Sequence, residues 1–358
     1  MIAGDYMEAI GVADQASTIA RVLGLPEPAR ALAYRGFARL YLGEPKGLDE
    51  MEHALELLIE QGAGRDAAIL QNNLAIARYP LQGPARSLSG FEQGIAFCAE
   101  RGLAEPAAQL ESNCPLLLVE LGRPDEALQR VTALVPRLEA IGDTPSLGEP
   151  RAVELATRAL RGERNLGVAA SWLLELARQI AAADILAMAF ASAAAAFVVD
   201  EPSRARALLA ELAEMEGARD NPYYSRHLAA MLRTVLVAGD VDLAKNLVEG
   251  LEPRFPLDEH GLCSVRGQLA EHAGDHTEAA TVYAEAAERW RKFGHVPERA
   301  YALLGEGRCL RALERPEAEQ PLREAQKLFA TMGYAPALAD TEALLQQAEA
   351  RAAARTSA

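Results

Sequence analysis

The sequence predicts an all-α protein, a solenoid of helix-turn-helix repeats with a period of about 39–40 residues. Three observations carry that expectation. Turn residues recur in step at Gly4, Gly43, Gln82, Gly122, Gly162, Asp200, Gly239, Gly274 and Glu314. A second column, Gly24, Gly62, Gly102, Gly142, Gly217, Gly294 and Gly333, falls between them. Sustained alternation of β-branched and polar residues, the mark of a half-buried strand, is missing.

The clearest unit spans Val265 to Gly294. An apolar-periodic segment ends at Ala273, and Gly274-Asp275 breaks it, because glycine takes positive φ at little cost where a helix must stop. A second amphipathic segment closes at Phe293-Gly294. Two residues past the turn stand Pro45, Pro84, Pro124, Pro202 and Pro316, where proline pre-sets φ and forfeits an amide that has no partner anyway. Five past it stand Ala9, Ser87, Ala127, Gly167, Ala205, Ala244 and Ala279, all small enough for two helices to approach closely. A second proline set (Pro28, Pro106, Pro150, Pro222, Pro297, Pro336) opens the following first helices.

In chain order, residues 1–24 form a half-repeat that holds only a second helix, Asp5 to Leu23. Its stripe of Tyr6, Ile10, Ala13, Ala16, Ala20 and Leu23 is expected to lie uncovered and to fray or pair with a second copy. Residues 25–336 hold eight helix pairs, each touching only its neighbours in one elongated domain. The pair around Gly162 to Ile180 is weak. The period drops to 35 between Gly239 and Gly274; there Pro253 and Pro256 are expected to stop a second helix early, leaving Asp258-Glu259-His260-Gly261 as an acidic connection. Residues 337–358 make a capping helix to about Ala354 and a frayed tail.

The turn pattern resembles the tetratricopeptide family. Its glycine-aspartate-aromatic signature with a small residue after it is matched by Gly4-Asp5-Tyr6 with Ala9, by Gly274-Asp275-His276 with Ala279, and by Leu121-Gly122-Arg123-Pro124 with Ala127. Most first-helix Trp and Tyr positions of the family are absent, and the period exceeds the usual ~34 residues. Long repeats of this kind are similar to those that follow the ATPase module of large bacterial signalling proteins, such as adenylate/guanylate cyclases and LuxR-type regulators. Asn72-Asn73-Leu74-Ala75, Gly83-Pro84, Arg101-Gly102-Leu103-Ala104, Gly307-Arg308-Cys309-Leu310 and Pro321-Leu322-Arg323-Glu324-Ala325 carry that likeness. The resemblance implies a right-handed superhelix whose first helices line the concave face, and the regulatory arm of a bacterial signalling protein.

Composition narrows the function classes. A formal net charge of −15 argues against nucleic acid, since phosphate neutralisation supplies most of that affinity, and against docking on an anionic membrane. Cys98, Cys114, Cys263 and Cys309 form no C-x-x-C pair, which fits reduced thiols in the cytoplasm. Asp5 and Glu8 disfavour a signal peptide. The most apolar run, Ile185 to Val199, is shorter than the ~20 residues of a membrane span and is expected to be a buried first helix.

No motif carries chemistry of its own. Gly305-Glu306-Gly307 lacks the third glycine and preceding strand of a dinucleotide fingerprint, and no phosphate-binding G-x-x-x-x-G-K-[ST] occurs. His272 and His276 stand four apart, but Gly274 and Asp275 break the helix between them, so no metal site is expected. No enzyme activity and no cofactor are expected.

One constellation points to binding. Counting back nine from the turns gives Tyr34, Asn73 and Asn113 in consecutive repeats; counting back ten and thirteen adds Asn72, Ser112, Arg30 and Gln109. On the concave face these make an amide-rich strip suited to an extended peptide, since each amide both donates and accepts. The strip resembles the asparagine-bearing groove that captures C-terminal carboxylates in some tetratricopeptide domains, without that groove's lysines. The expected function is a non-catalytic interaction or sensor module with a protein or peptide partner and a possible homodimer through the N-terminal end. The alternative is a stand-alone receptor for a peptide or small molecule.

Overall fold

Glycine punctuation explains where the helices stop. In the computed structural model, which describes residues 6–215, 217–219 and 222–356, every glycine of the second column has positive φ, from 62° at Gly24 to 88° at Gly294. Gly43, Gly122, Gly162, Gly239 and Gly274 do the same at the first turns, and Glu314 takes φ 56° without being glycine. The turn expected at Gln82 is made one residue later, by Gly83 at φ 83°, because Gln82 still closes its helix. The turn at Gly4 lies outside the described residues. All the regular structure among the described residues is helical.

The chain divides between Cys114 and Pro115 into two compact units, the boundary falling after the first residue of the seventh helix, which otherwise belongs to the second unit. Unit 1 contains α1 (Tyr6–Leu23), α2 (Ala29–Tyr41), α3 (Lys46–Glu60), α4 (Gly64–Gln82), α5 (Pro84–Arg101) and α6 (Ala104–Ser112). Each packs on its sequence neighbour, and the first helices α2, α4 and α6 also touch one another in series. Gly36 on α2 meets α3 backbone to backbone; a Cβ there would lie 2.5 Å from the Gly47 carbonyl oxygen. The face of α1 expected to lie open is instead covered by α2: Ala13 and Ala20 are buried, and Tyr6 stacks on Tyr41 at 5.3 Å. The exposed apolar side chains belong to the opposite face, with Met7, Val12, Ile19 and Val22, and to Leu23 at the helix end.

Unit 2 contains α7 (Cys114–Glu120), α8 (Pro124–Ile141), α9 (Gly148–Leu160), α10 (Gly167–Ile180), α11 (Ala183–Phe197), α12 (Pro202–Glu214), α13 (Pro222–Val237), α14 (Val241–Asn246), α15 (Pro256–His272), α16 (His276–Phe293), α17 (Val296–Ala312), α18 (Glu319–Met332) and α19 (Ala335–Thr356). The apolar run is α11, with Ala187, Met188, Phe190 and Ala194 buried. No helix among the described residues is long and apolar enough to cross a membrane. The short repeat differs from expectation. Its second helix ends at Asn246, and Pro256 opens the next first helix instead of closing anything. Asp258 is a buried helix-start residue and not part of a connection: its Oδ2 accepts the N–H groups of Arg254 and Phe255, both at 2.9 Å, which satisfies donors that a helix start leaves orphaned.

Nearest-neighbour contact does not hold within unit 2. Arg226 of α13 reaches Glu120 of α7 with Nε–Oε1 2.6 Å and Nη2–Oε2 3.0 Å, across 106 residues of sequence. A Cβ on Gly122 would lie 2.9 Å from Val296, and one on Gly162 3.1 Å from Pro336. The early part of this unit, around α7 and α9, therefore lies against its later helices α13, α17 and α19 through both charged and apolar side chains.

Candidate recognition face in unit 1

The local sequence sets up the strip. Pro115 has no N–H and its ring clashes with the carbonyl four residues back, so the first helix of the third repeat is interrupted at Asn113, between α6 and α7. The Gln109 carbonyl accepts two side-chain donors instead, Ser112 Oγ at 2.7 Å and Asn113 Nδ2 at 2.8 Å. Asn113 Nδ2 also donates to Asn72 Oδ1 at 3.3 Å, and Asn72 Nδ2 to Asn73 Oδ1 at 3.4 Å. A chain of amides thus runs from α6 to α4. Asn72 and Ser112 are buried and spend their polar groups inside that chain, whereas Gln109 is exposed and Asn73 and Asn113 are half-buried.

Arg30, Tyr34 and Asn73 come together in one pocket of about 200 Å³ between α2, α3 and α4. Its floor is apolar, formed by Ala33, Phe37, Leu58 and Leu70, with Ile69 and Tyr34 at the rim. Tyr34 is 51% exposed and Ile69 41%. Arg30 Nη2 meets Asp66 Oδ1 at 3.4 Å across the pocket mouth, the two side chains 68% and 29% exposed. Asn73 Oδ1 is taken by Asn72, so its amide nitrogen remains as a donor on the pocket wall. The pocket can therefore offer an apolar surface, one cation, one anion and a neutral donor. Gln109, Ser112 and Asn113 do not line it. Sequence counting missed Leu58, which comes from a second helix, and Asp66, which gives itself away only as an acid in the first turn of α4.

Unit 2 holds a buried ionic assembly that no motif announced. Beside the Glu120–Arg226 pair, His295 Nε2 stands 3.7 Å from Glu120 Oε1, and its Nδ1 accepts the Glu298 N–H at 3.3 Å. Arg233 grips Glu298 with both arms, at 2.5 and 2.6 Å, and lies over the Tyr301 ring at 4.0 Å. Burial pushes the Glu149 carboxyl up to about 8, with Arg226 opposing and Asp184 and Glu120 reinforcing. Burial, then Arg226, holds His227 down to about 4. The assembly pairs its arginines with carboxylates, the arrangement that makes buried charge tolerable. The Gly305-Glu306-Gly307 stretch is likewise structural: it lies within α17, where a Cβ on Gly305 would lie 2.5 Å from Tyr283 Cζ and one on Gly307 2.5 Å from Leu322 Cγ.

No family model matches the chain, and no curated protein matches it. Among solved structures it is similar to a circular tandem repeat protein with novel repeat topology and enhanced subunit contact surfaces. The two are 13% identical, with 96% of this chain and 87% of that chain covered and a TM-score of 0.23. At that score the likeness carries no argument about fold or function.

Proposed function

We propose that the protein is a non-catalytic recognition module whose binding surface is the first-helix face of unit 1. One observation supports this function: Arg30, Tyr34 and Asn73, from consecutive repeats, line a single pocket with an apolar floor, and an amide chain leads away from it toward α6. An extended peptide across α2, α4 and α6 suits that chemistry. One apolar side chain fills the pocket, and the peptide backbone meets the half-exposed amides, which both donate and accept. About 200 Å³ lies below the roughly 300–1,000 Å³ of sites that enclose drug-sized ligands, so the pocket takes one side chain or a very small molecule. Together with the tetratricopeptide-like turns, this suits the cytoplasmic sensor or docking arm of a larger bacterial signalling protein.

The test begins with peptides selected by display against the full chain. Their affinity for the Tyr34→Ala/Asn73→Ala/Asn113→Ala variant should fall at least tenfold, as expected from roughly 1–3 kcal/mol of lost polar and apolar contact, with unchanged circular dichroism. Failure to enrich any peptide, or equal affinity for the variant, contradicts the function.

A further inference from the structure

The charges at the pocket mouth are loosely paired. Arg30 and Asp66 meet through a single contact at 3.4 Å, looser than the 2.7 and 2.8 Å at which Arg35 closes on Asp14 and Glu50. A guanidinium carries five N–H donors and a carboxylate about four acceptor sites. One contact leaves most of both unspent, directly above the floor of Phe37, Leu58 and Leu70. Asn73 Nδ2 adds a donor on the same wall.

We propose that this pocket binds a free apolar amino acid as its zwitterion, with the carboxylate on Arg30 and Asn73, the ammonium on Asp66 and the side chain on the apolar floor. The proposal rests on unit 1's first-helix face being the binding face. A ligand with only one charge meets attraction from one member of the pair and repulsion from the other. A residue inside a peptide has neither charge and leaves the pair unused. A free amino acid satisfies both, because its two charges are held about as far apart as those of the pair it meets. The pocket is also too small for a drug-sized ligand and has apolar surface to spare at Tyr34 and Ile69. An amino acid seated there occupies the place of a peptide's anchoring side chain, so its concentration controls docking on this face.

Calorimetry on the full chain tests this directly. L-leucine, L-isoleucine and L-phenylalanine are titrated beside N-acetyl-L-leucine, which lacks the ammonium, and L-leucinamide, which lacks the carboxylate. One free amino acid should bind saturably per chain, and each half-charged analogue at least tenfold more weakly. Arg30→Gln and Asp66→Asn should each weaken leucine at least tenfold, and Arg30→Lys should recover part of the loss; Arg30 is mostly exposed, so its variants keep the fold. No binding by any of the three at concentrations up to about 10 mM, or equal binding of N-acetyl-L-leucine, overturns the proposal. If selected peptides still depend on Tyr34 and Asn73 in that case, the recognition function stands without it. Loss of both returns the face to solvated surface.

Discussion

Tyr283 shows how much one residue fixes. Its ring is buried and its hydroxyl donates to Glu271 Oε2 at 2.9 Å, which Arg308 also holds at 2.8 Å. Gly267 and Gly305 lie against the ring from two first helices; added Cβ atoms would lie 2.9 and 2.5 Å from it. A ring pinned at its hydroxyl cannot yield, so Gly305→Ala should cost roughly 1–3 kcal/mol by overpacking, seen as a melting temperature several degrees lower. The sequence displayed Gly305 but not its reason, because Tyr283 comes from a different helix. Glu149 gives a pH signature. Its folded pKa of about 8 stands above the ordinary 4.5, so its contribution to stability is full below 4.5 and is lost as pH rises through about 8. Glu149→Gln, which mimics the protonated acid, should therefore match the native protein near pH 5 and exceed it near pH 9, by up to about 4 kcal/mol. Denaturant titrations at the two pH values check this. His227, held near 4, acts oppositely: its stabilisation is present above about 6.5 and lost as pH falls toward 4.

At the scale of elements, the helix boundaries were largely legible. A positive-φ glycine has a local cause, so Gly24, Gly62, Gly102, Gly142, Gly217, Gly294 and Gly333 could be read from the chain alone. Asp275 is legible for the same reason, its Oδ1 accepting the Glu278 N–H at 3.0 Å as an N-cap. Pro256 misled because proline ends one helix and begins another with equal ease; only buried Asp258, capping the start of α15, settles which. The face of α1 misled because its small alanines suit close packing on the helix that follows, α2, as well as on one that precedes it. Its other face leaves Met7, Val12, Ile19 and Val22 exposed, so a homodimer through this end would have to form there and not on the covered stripe. Sedimentation velocity should show concentration-dependent association that Ile19→Lys/Val22→Lys abolishes. A strict monomer at high concentration removes that role.

At the scale of the whole molecule, periodicity foretells an all-α repeat array but not how far its repeats reach. The Glu120–Arg226 pair is invisible in the sequence, since residues 106 apart share no local signal, and it brings α7 against α13 where neighbour-only contact was expected. The candidate site was legible by halves. Arg30, Tyr34 and Asn73 sit at fixed offsets from the turns and share one pocket. Asn72 and Ser112, at similar offsets, are turned into the structure by hydrogen bonds that the offsets do not encode. Hydrogen exchange, compared with and without a display-selected peptide, tests the central claim most directly. Protection should rise in α2 and α4, around Arg30–Phe37 and Asp66–Asn73, and stay unchanged in α15 to α18 of unit 2. Protection confined to unit 2, with α2 and α4 unchanged, would contradict it.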